Sequence, residues 1–207
     1  TTSTHFMKIL YHLLNHLKHN SFSMILLITL FVSCQKDVAK IHDEAFVVDT
    51  HNDVLLRSLT GRDILTDLPE SHSDLPKFNK GGMDCQIFSI WVSPTEFEDG
   101  EHYNRANQMI SQLEYLCSRI PDQWAITFNY QDLVYNDQKG ILSCMIGVEG
   151  GHSIENDIAK LDALYDRGMR YLGITWNNST DWATSAKGET EKSDSLTFIG
   201  LTDVGKN

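Results

Sequence analysis

The sequence predicts an α/β fold built on a parallel sheet, from three observations: apolar runs of strand length, segments of helical apolar spacing between them, and polar clusters where the runs end. Ala45 to Asp49 is a short continuous apolar run entering Thr50-His51-Asn52-Asp53, the pattern of a strand buried on both faces that finishes in a polar loop. Cys85 to Val92 is a second such run, stopped by Ser93-Pro94. From Asn104 to Arg119 the apolar residues Ala106, Met109, Ile110, Leu113, Leu116 and Cys117 recur at helical spacing, and Pro121 ends the pattern. Trp124 to Phe128 reads as a short strand and Tyr130 to Asn136 as a short helix. Ile141 to Val148 is the clearest third strand, followed by Glu149-Gly150-Gly151-His152 and a helix from about Glu155 to Arg167 that Gly168 terminates. Met169 to Thr175 is the next strand and leads into the polar loop Trp176 to Thr184. Thr184 to Thr197, rich in Ser, Thr, Lys and Glu, reads as a solvated loop at the strand-end face.

Composition supports a folded chain and removes one class of partner. With 41% apolar residues in 207, the chain can bury a substantial core. A net charge of −11 and no Lys/Arg cluster repel phosphate backbones, so nucleic acid is not an expected partner. Cys34, Cys85, Cys117 and Cys144 contain no CxxC pair, and the last three are expected to be buried thiols rather than a disulfide framework.

The N-terminus has the layout of an export signal. Lys8 and Lys18 precede an apolar run from Ile25 to Val32, too short to span a bilayer, and Ser33-Cys34 follow. Leu30-Phe31-Val32-Ser33-Cys34 resembles a bacterial lipobox, which makes Cys34 the expected lipidation site and an envelope lipoprotein the expected form; a buried amphipathic helix is the alternative. Residues 1–33 are read as signal and upstream sequence, residues 34–44 as a polar tether, and residues 45–207 as the folded part.

Chemistry concentrates where strands end. His51 and Asp53 stand two apart, so in extended geometry both side chains leave the same side of the backbone and can reach one divalent ion; loop hydrogen bonding is the alternative. Glu149 directly follows a strand, beside two glycines that let the chain turn sharply, and can bridge two cations or cap the next helix. His152 is read as a supporting donor or a capping residue rather than a ligand.

Taken in order, these segments resemble the membrane (renal) dipeptidase family. The matching stretches include Val47 to Asp53, Asp74-Leu75-Pro76-Lys77 with Gly81-Gly82, Gln86-Ile87-Phe88-Ser89 and Ile146 to Ile154. Leu161 to Tyr165, Gly168 to Leu172, Thr175, Asn177 and Trp182-Ala183 continue the likeness, which spans roughly residues 45–207. The resemblance implies a TIM (β/α)8 barrel with two zinc ions that cleaves dipeptides, often with a D-residue on the C-terminal side. It implies that His51 and Asp53 bind one ion, that Glu149 bridges both, and that a metal-bound hydroxide replaces a side-chain nucleophile.

Two departures qualify the carry-over. Where many members have a histidine after the threonine of the strand-end motif, this sequence has Trp176, which can stack on substrate or pack but cannot act as acid or base. The resemblance also places further ligand histidines and an aspartate after Asn207, so about half a barrel is expected here, inactive alone, with a homodimer expected of the full-length protein. A barrel amidohydrolase acting on another small amide, and a non-catalytic surface lipoprotein, are the competing functional readings.

Overall fold

A computed structural model describes residues 38–98, 100–192 and 195–206; the expected signal and Cys34 lie outside the described residues. The chain divides into two units, Thr1–Ala45 and Phe46–Asn207. In the first, Val38–Glu44 is helical and exposed throughout, where a polar tether was expected. None of the described helices is long and apolar enough to cross a membrane.

The second unit is an α/β structure on a five-stranded, all-parallel sheet: β1 Val48–Asn52, β2 Cys85–Trp91, β3 Trp124–Ile126, β4 Leu142–Glu149 and β5 Met169–Leu172. The order is β1-β2-β4-β3, with β5 also on β4. β3 pairs with Leu142 to Cys144 and β5 with Ile146 to Val148, so the two share β4 along its length. Because the pleat alternates faces, Phe88 and Ile90 of β2 and Leu142, Cys144, Ile146 and Val148 of β4 project to one side, and Ser89, Gly147 and Glu149 to the other. The first side carries the core. Phe88 meets Phe78 and Trp124 there with ring centroids 6.3 Å and 5.3 Å away.

The elements follow their sequence signals closely where the apolar pattern is long. The helix His102–Arg119 buries Ala106, Met109, Ile110, Leu113, Leu116 and Cys117, the face its spacing predicted. Asn129 caps the helix Tyr130–Lys139 by accepting from the Asp132 N–H, and Gly140 closes it at φ +65°, a left-handed position suited to glycine. Asp157 caps the helix Ile158–Asp166 through the Ala159 N–H. Between β4 and that helix lies a single 3-10 turn, Gly151–Ile154, so the helix starts later than expected.

Other expectations are corrected. β1 is not buried on both faces: among the described strands it pairs with β2 alone, at the sheet's edge, and Val48 remains 44% exposed. β5 ends at Leu172 rather than Thr175, since after the Gly173 N–H bonds to Val148 O the chain turns away and the Ile174 carbonyl accepts from the Gly151 N–H. The stretch expected as a loop from Thr184 contains a helix, Ala186–Lys192. Short helices at Leu55–Leu59 and Leu75–Lys80 were not anticipated; Asp74, fully buried, caps the second by accepting from the Lys77 N–H.

Cys85, Cys117 and Cys144 are free and buried, as expected. Burial, with help from Asp84, pushes the Cys85 thiol up to about 11. Burial likewise raises Cys144, and the neighbouring Cys117 and Cys85 add to the effect.

Candidate metal centre

Parallel strands deliver their C-terminal ends to one rim, and in this chain that rim carries His51, Asp53 and Glu149. The end of β1 is shaped before the candidate ligands are reached. Between the pairs Asp49↔Gln86 and Asn52↔Phe88, β1 advances by three residues while β2 advances by two, a bulge of one residue. Gln86, fully buried, secures the bulge by donating to Asp49 O at 3.2 Å and Ile87 O at 3.0 Å. The Asn52 amide donates to Ser73 Oγ, Gln86 Oε1 and Asp49 Oδ2 at 2.9, 3.3 and 3.3 Å, while its Oδ1 accepts from the Val54 N–H. Asp49 Oδ1 in turn accepts from the His51 N–H at 3.1 Å. The backbone on which His51 rides is therefore held by a network of polar side chains.

The three side chains converge. His51 Nε2 lies 3.2 Å from Glu149 Oε2 and 3.7 Å from Asp53 Oδ1. One donor atom from each of the three falls within 4.8 Å of the others. Zinc–ligand bonds of about 2.0–2.2 Å in a tetrahedron separate the donors by about 3.3–3.6 Å, so the two His51 spacings match what one cation requires. One imidazole with two carboxylates is also a donor set suited to that ion. Ser89 Oγ, fully buried, donates to Glu149 Oε2 at 3.2 Å and fixes that carboxylate. The side chains of His51, Asp53 and Glu149 are 42%, 53% and 26% exposed, so the cluster opens to solvent and to a substrate.

Tyr171 of β5 completes the surroundings. Its hydroxyl lies 3.3 Å from Thr50 O and 3.4 Å from His51 Nδ1. Burial raises its pKa, and the negative charges of Glu149, Asp53 and Asp49 raise it further, so the phenol stays protonated. Gly147 makes room for the ring: a Cβ there would lie 2.1 Å from Tyr171 Cζ.

His152 stands apart from the cluster as a supporting residue. Its Nε2–H donates to Val92 O at 2.9 Å, tying the turn after β4 to the end of β2. Burial holds its pKa below the usual value, opposed by the bond to Val92 and assisted by the nearby His102 ring. Gly150, at φ +95°, is required beside it, since a Cβ would come 2.4 Å from the imidazole Cε1. Trp176 also lies outside the cluster. It meets Trp91 edge to face, centroids 5.3 Å apart, and lines a cavity of about 550 Å³ with Pro94, Thr95, Asn177, Lys187 and Leu196. Stacking and packing, the two roles its position in sequence allowed, are thus compatible: one edge packs and the remaining surface borders a cavity.

Sequence reasoning gave no role to Asn52, Gln86, Ser89, Gly147 or Tyr171. One signal was available, a glycine in the interior of the strongest strand, which marks a close approach by another group.

Residues 35–207 match the family described as membrane dipeptidase (peptidase family M19). Dipeptidase 3 of Mus musculus is 34% identical over 146 residues, 68% of this chain and 29% of that protein. Among solved structures, a dipeptidase of the same peptidase family superposes with TM-score 0.65 at 24% identity, over 78% of this chain and 51% of that one. A metallopeptidase from Rhodobacter sphaeroides, liganded with a phosphinate mimic of the dipeptide L-Ala-D-Ala, gives 0.63 at 22%, over 78% and 54%. The chain therefore spans less than a third of that curated relative and about half of these solved neighbours, with which it shares its fold.

Proposed function

From the premise that the chain belongs to the membrane dipeptidase family over residues 35–207, we propose that the protein is a zinc-dependent dipeptidase. The observation that carries this reading is the convergence of His51, Asp53 and Glu149, from two separate strand ends, with donor spacings of 3.2 and 3.7 Å. His51 supplies a neutral nitrogen, Asp53 a terminal carboxylate, and Glu149 a carboxylate able to serve two ions. A zinc ion held by these residues would lower the pKa of coordinated water toward neutrality and polarise a scissile carbonyl. Ser89 keeps Glu149 turned to the cluster, and the Asn52–Gln86 network keeps the His51–Asp53 backbone in place. Trp176 offers an aromatic wall to the neighbouring cavity, where a substrate side chain could stack. The phosphinate dipeptide held by the Rhodobacter sphaeroides metallopeptidase supports short peptides with a C-terminal D-residue as the first substrates to try.

The test uses the complete protein. Zinc-loaded enzyme should hydrolyse L-Ala-D-Ala and L-Ala-L-Ala; chelation should abolish this, and zinc should restore it. Glu149→Gln and His51→Ala should each reduce turnover by at least about 100-fold, as expected when a ligand of a catalytic ion is lost. Activity that survives chelation would overturn the reading, and activity confined to non-peptide amides would assign the site to a different hydrolase.

A further inference from the structure

We propose that Tyr171 is a positioning residue that sets the tautomer and ring orientation of His51; the inference rests on the metal-centre reading above. β1 and β5 lie at opposite ends of the path β1-β2-β4-β5, yet Tyr171 of β5 reaches Thr50 and His51 of β1. It does so by crossing β4 at Gly147, its register partner, where an added Cβ would overlap the ring at 2.1 Å from Cζ. The missing side chain is the lane that lets the phenol through.

The hydroxyl then stands between a backbone carbonyl and an imidazole nitrogen. Thr50 O, 3.3 Å away, is a carbonyl and can only accept, so it takes the phenolic proton. A phenol has one proton to give, and toward His51 Nδ1, 3.4 Å away, the oxygen is left as acceptor. With a cation held at the cluster, the imidazole carries its proton on Nδ1, hydrogen-bonded to that oxygen, and presents the lone pair of Nε2 to the ion. Nε2 is the nitrogen turned toward Asp53 Oδ1 and Glu149 Oε2. A histidine that binds a cation through Nε2 needs that tautomer, and a partner on the other nitrogen is the usual device for fixing it. The Tyr171 hydroxyl is the described group that meets this requirement.

Two variants of the complete protein test the assignment. Tyr171→Phe keeps the ring and removes the hydroxyl; Gly147→Ala keeps the hydroxyl and displaces the ring. Chelator competition with Zn²⁺ should show about 10–100-fold weaker binding in both variants. In Tyr171→Phe the visible spectrum of the Co²⁺-loaded protein should shift, and ¹⁵N NMR of the Zn²⁺-loaded protein should show the His51 Nδ1 resonance moving as its hydrogen bond is lost. A merely structural role would alter melting temperature but leave the Nδ1 resonance and the spectrum unchanged. Wild-type protein that binds no metal would overturn the metal-centre reading itself. Wild-type that binds, alongside Tyr171→Phe with the same affinity, spectrum and Nδ1 resonance, would overturn the role of Tyr171 while leaving that reading intact.

Discussion

Replacing Gln86 by Met isolates the contribution of one side chain to the ground on which the metal centre stands. Met matches Gln in length and shape but makes none of its hydrogen bonds. Gln86 has no exposed surface, so nothing in solvent replaces what it loses. The substitution withdraws donors from Asp49 O and Ile87 O and an acceptor from the Asn52 amide. Three neutral hydrogen bonds at about 0.5–1.5 kcal/mol each give an upper figure near 4.5 kcal/mol. Asn52 keeps Ser73 Oγ and Asp49 Oδ2, and the thioether recovers some apolar burial, which lowers the expectation to about 2–3 kcal/mol. With a urea m-value of about 2 kcal/mol/M, the midpoint of metal-free unfolding should fall by about 1–1.5 M with an unchanged slope. Loosening of the β1 bulge should also weaken zinc binding, because His51 and Asp53 lose the fixed backbone that presents them together. A Gln86→Met protein whose urea midpoint lies within about 0.2 M of wild type would refute the claim that this buried amide supports the bulge.

Asp74 makes stability depend on acid. Burial works against its charge, but hydrogen bonds from Lys77 and from the Leu68 and Lys77 N–H groups outweigh burial and hold its carboxyl below the ordinary range. Its contribution is therefore full above the unfolded value of about 3.9 and is lost as pH falls through the lower folded value. Asp74→Ala should cost about 2–3 kcal/mol at pH 7, from the lost cap and the orphaned Leu68 N–H, and should flatten the acid limb of a melting-temperature profile. At the N-terminus, lipidation of Cys34 is the proposal to test: Cys34→Ser should shift the protein from the membrane pellet to the soluble fraction of cells. A variant that stays in the pellet would argue for another mode of attachment, or for none through this residue.

Much of the sheet was legible because β2 and β4 are long apolar runs, and the helix His102–Arg119 because its period persists over 18 residues. The candidate ligands were legible in two steps: strand-end position made His51, Asp53 and Glu149 candidates with ordinary loop or capping roles as alternatives, and the family resemblance singled them out. What escaped depends on contacts between strands. Tyr171 reads as one residue of a short apolar strand until Gly147 is seen to leave the space it crosses. Gln86 reads as an interruption of an apolar run until the extra residue in β1 gives its amide something to bind. The helices Leu55–Leu59 and Leu75–Lys80 are too brief for a periodic signal, and only the second is started by a side-chain cap, from Asp74. The exposure of β1 escaped for another reason: an apolar run does not reveal how many neighbours its strand will have.

The thiols packed within this fold double as a clock. Cys85, Cys117 and Cys144 are shut away from solvent, and two of them have pKa values pushed far above neutrality, so a thiol reagent finds almost no thiolate to attack while the sheet is closed. Each labelling event at these positions must wait for the surrounding structure to part. Cys85 and Cys144 sit in the two central strands, and Cys85 is paired across the sheet with both Val48 and Ser143. The time course of their modification therefore times the separation of the strands that carry His51 and Glu149, with no foreign probe attached.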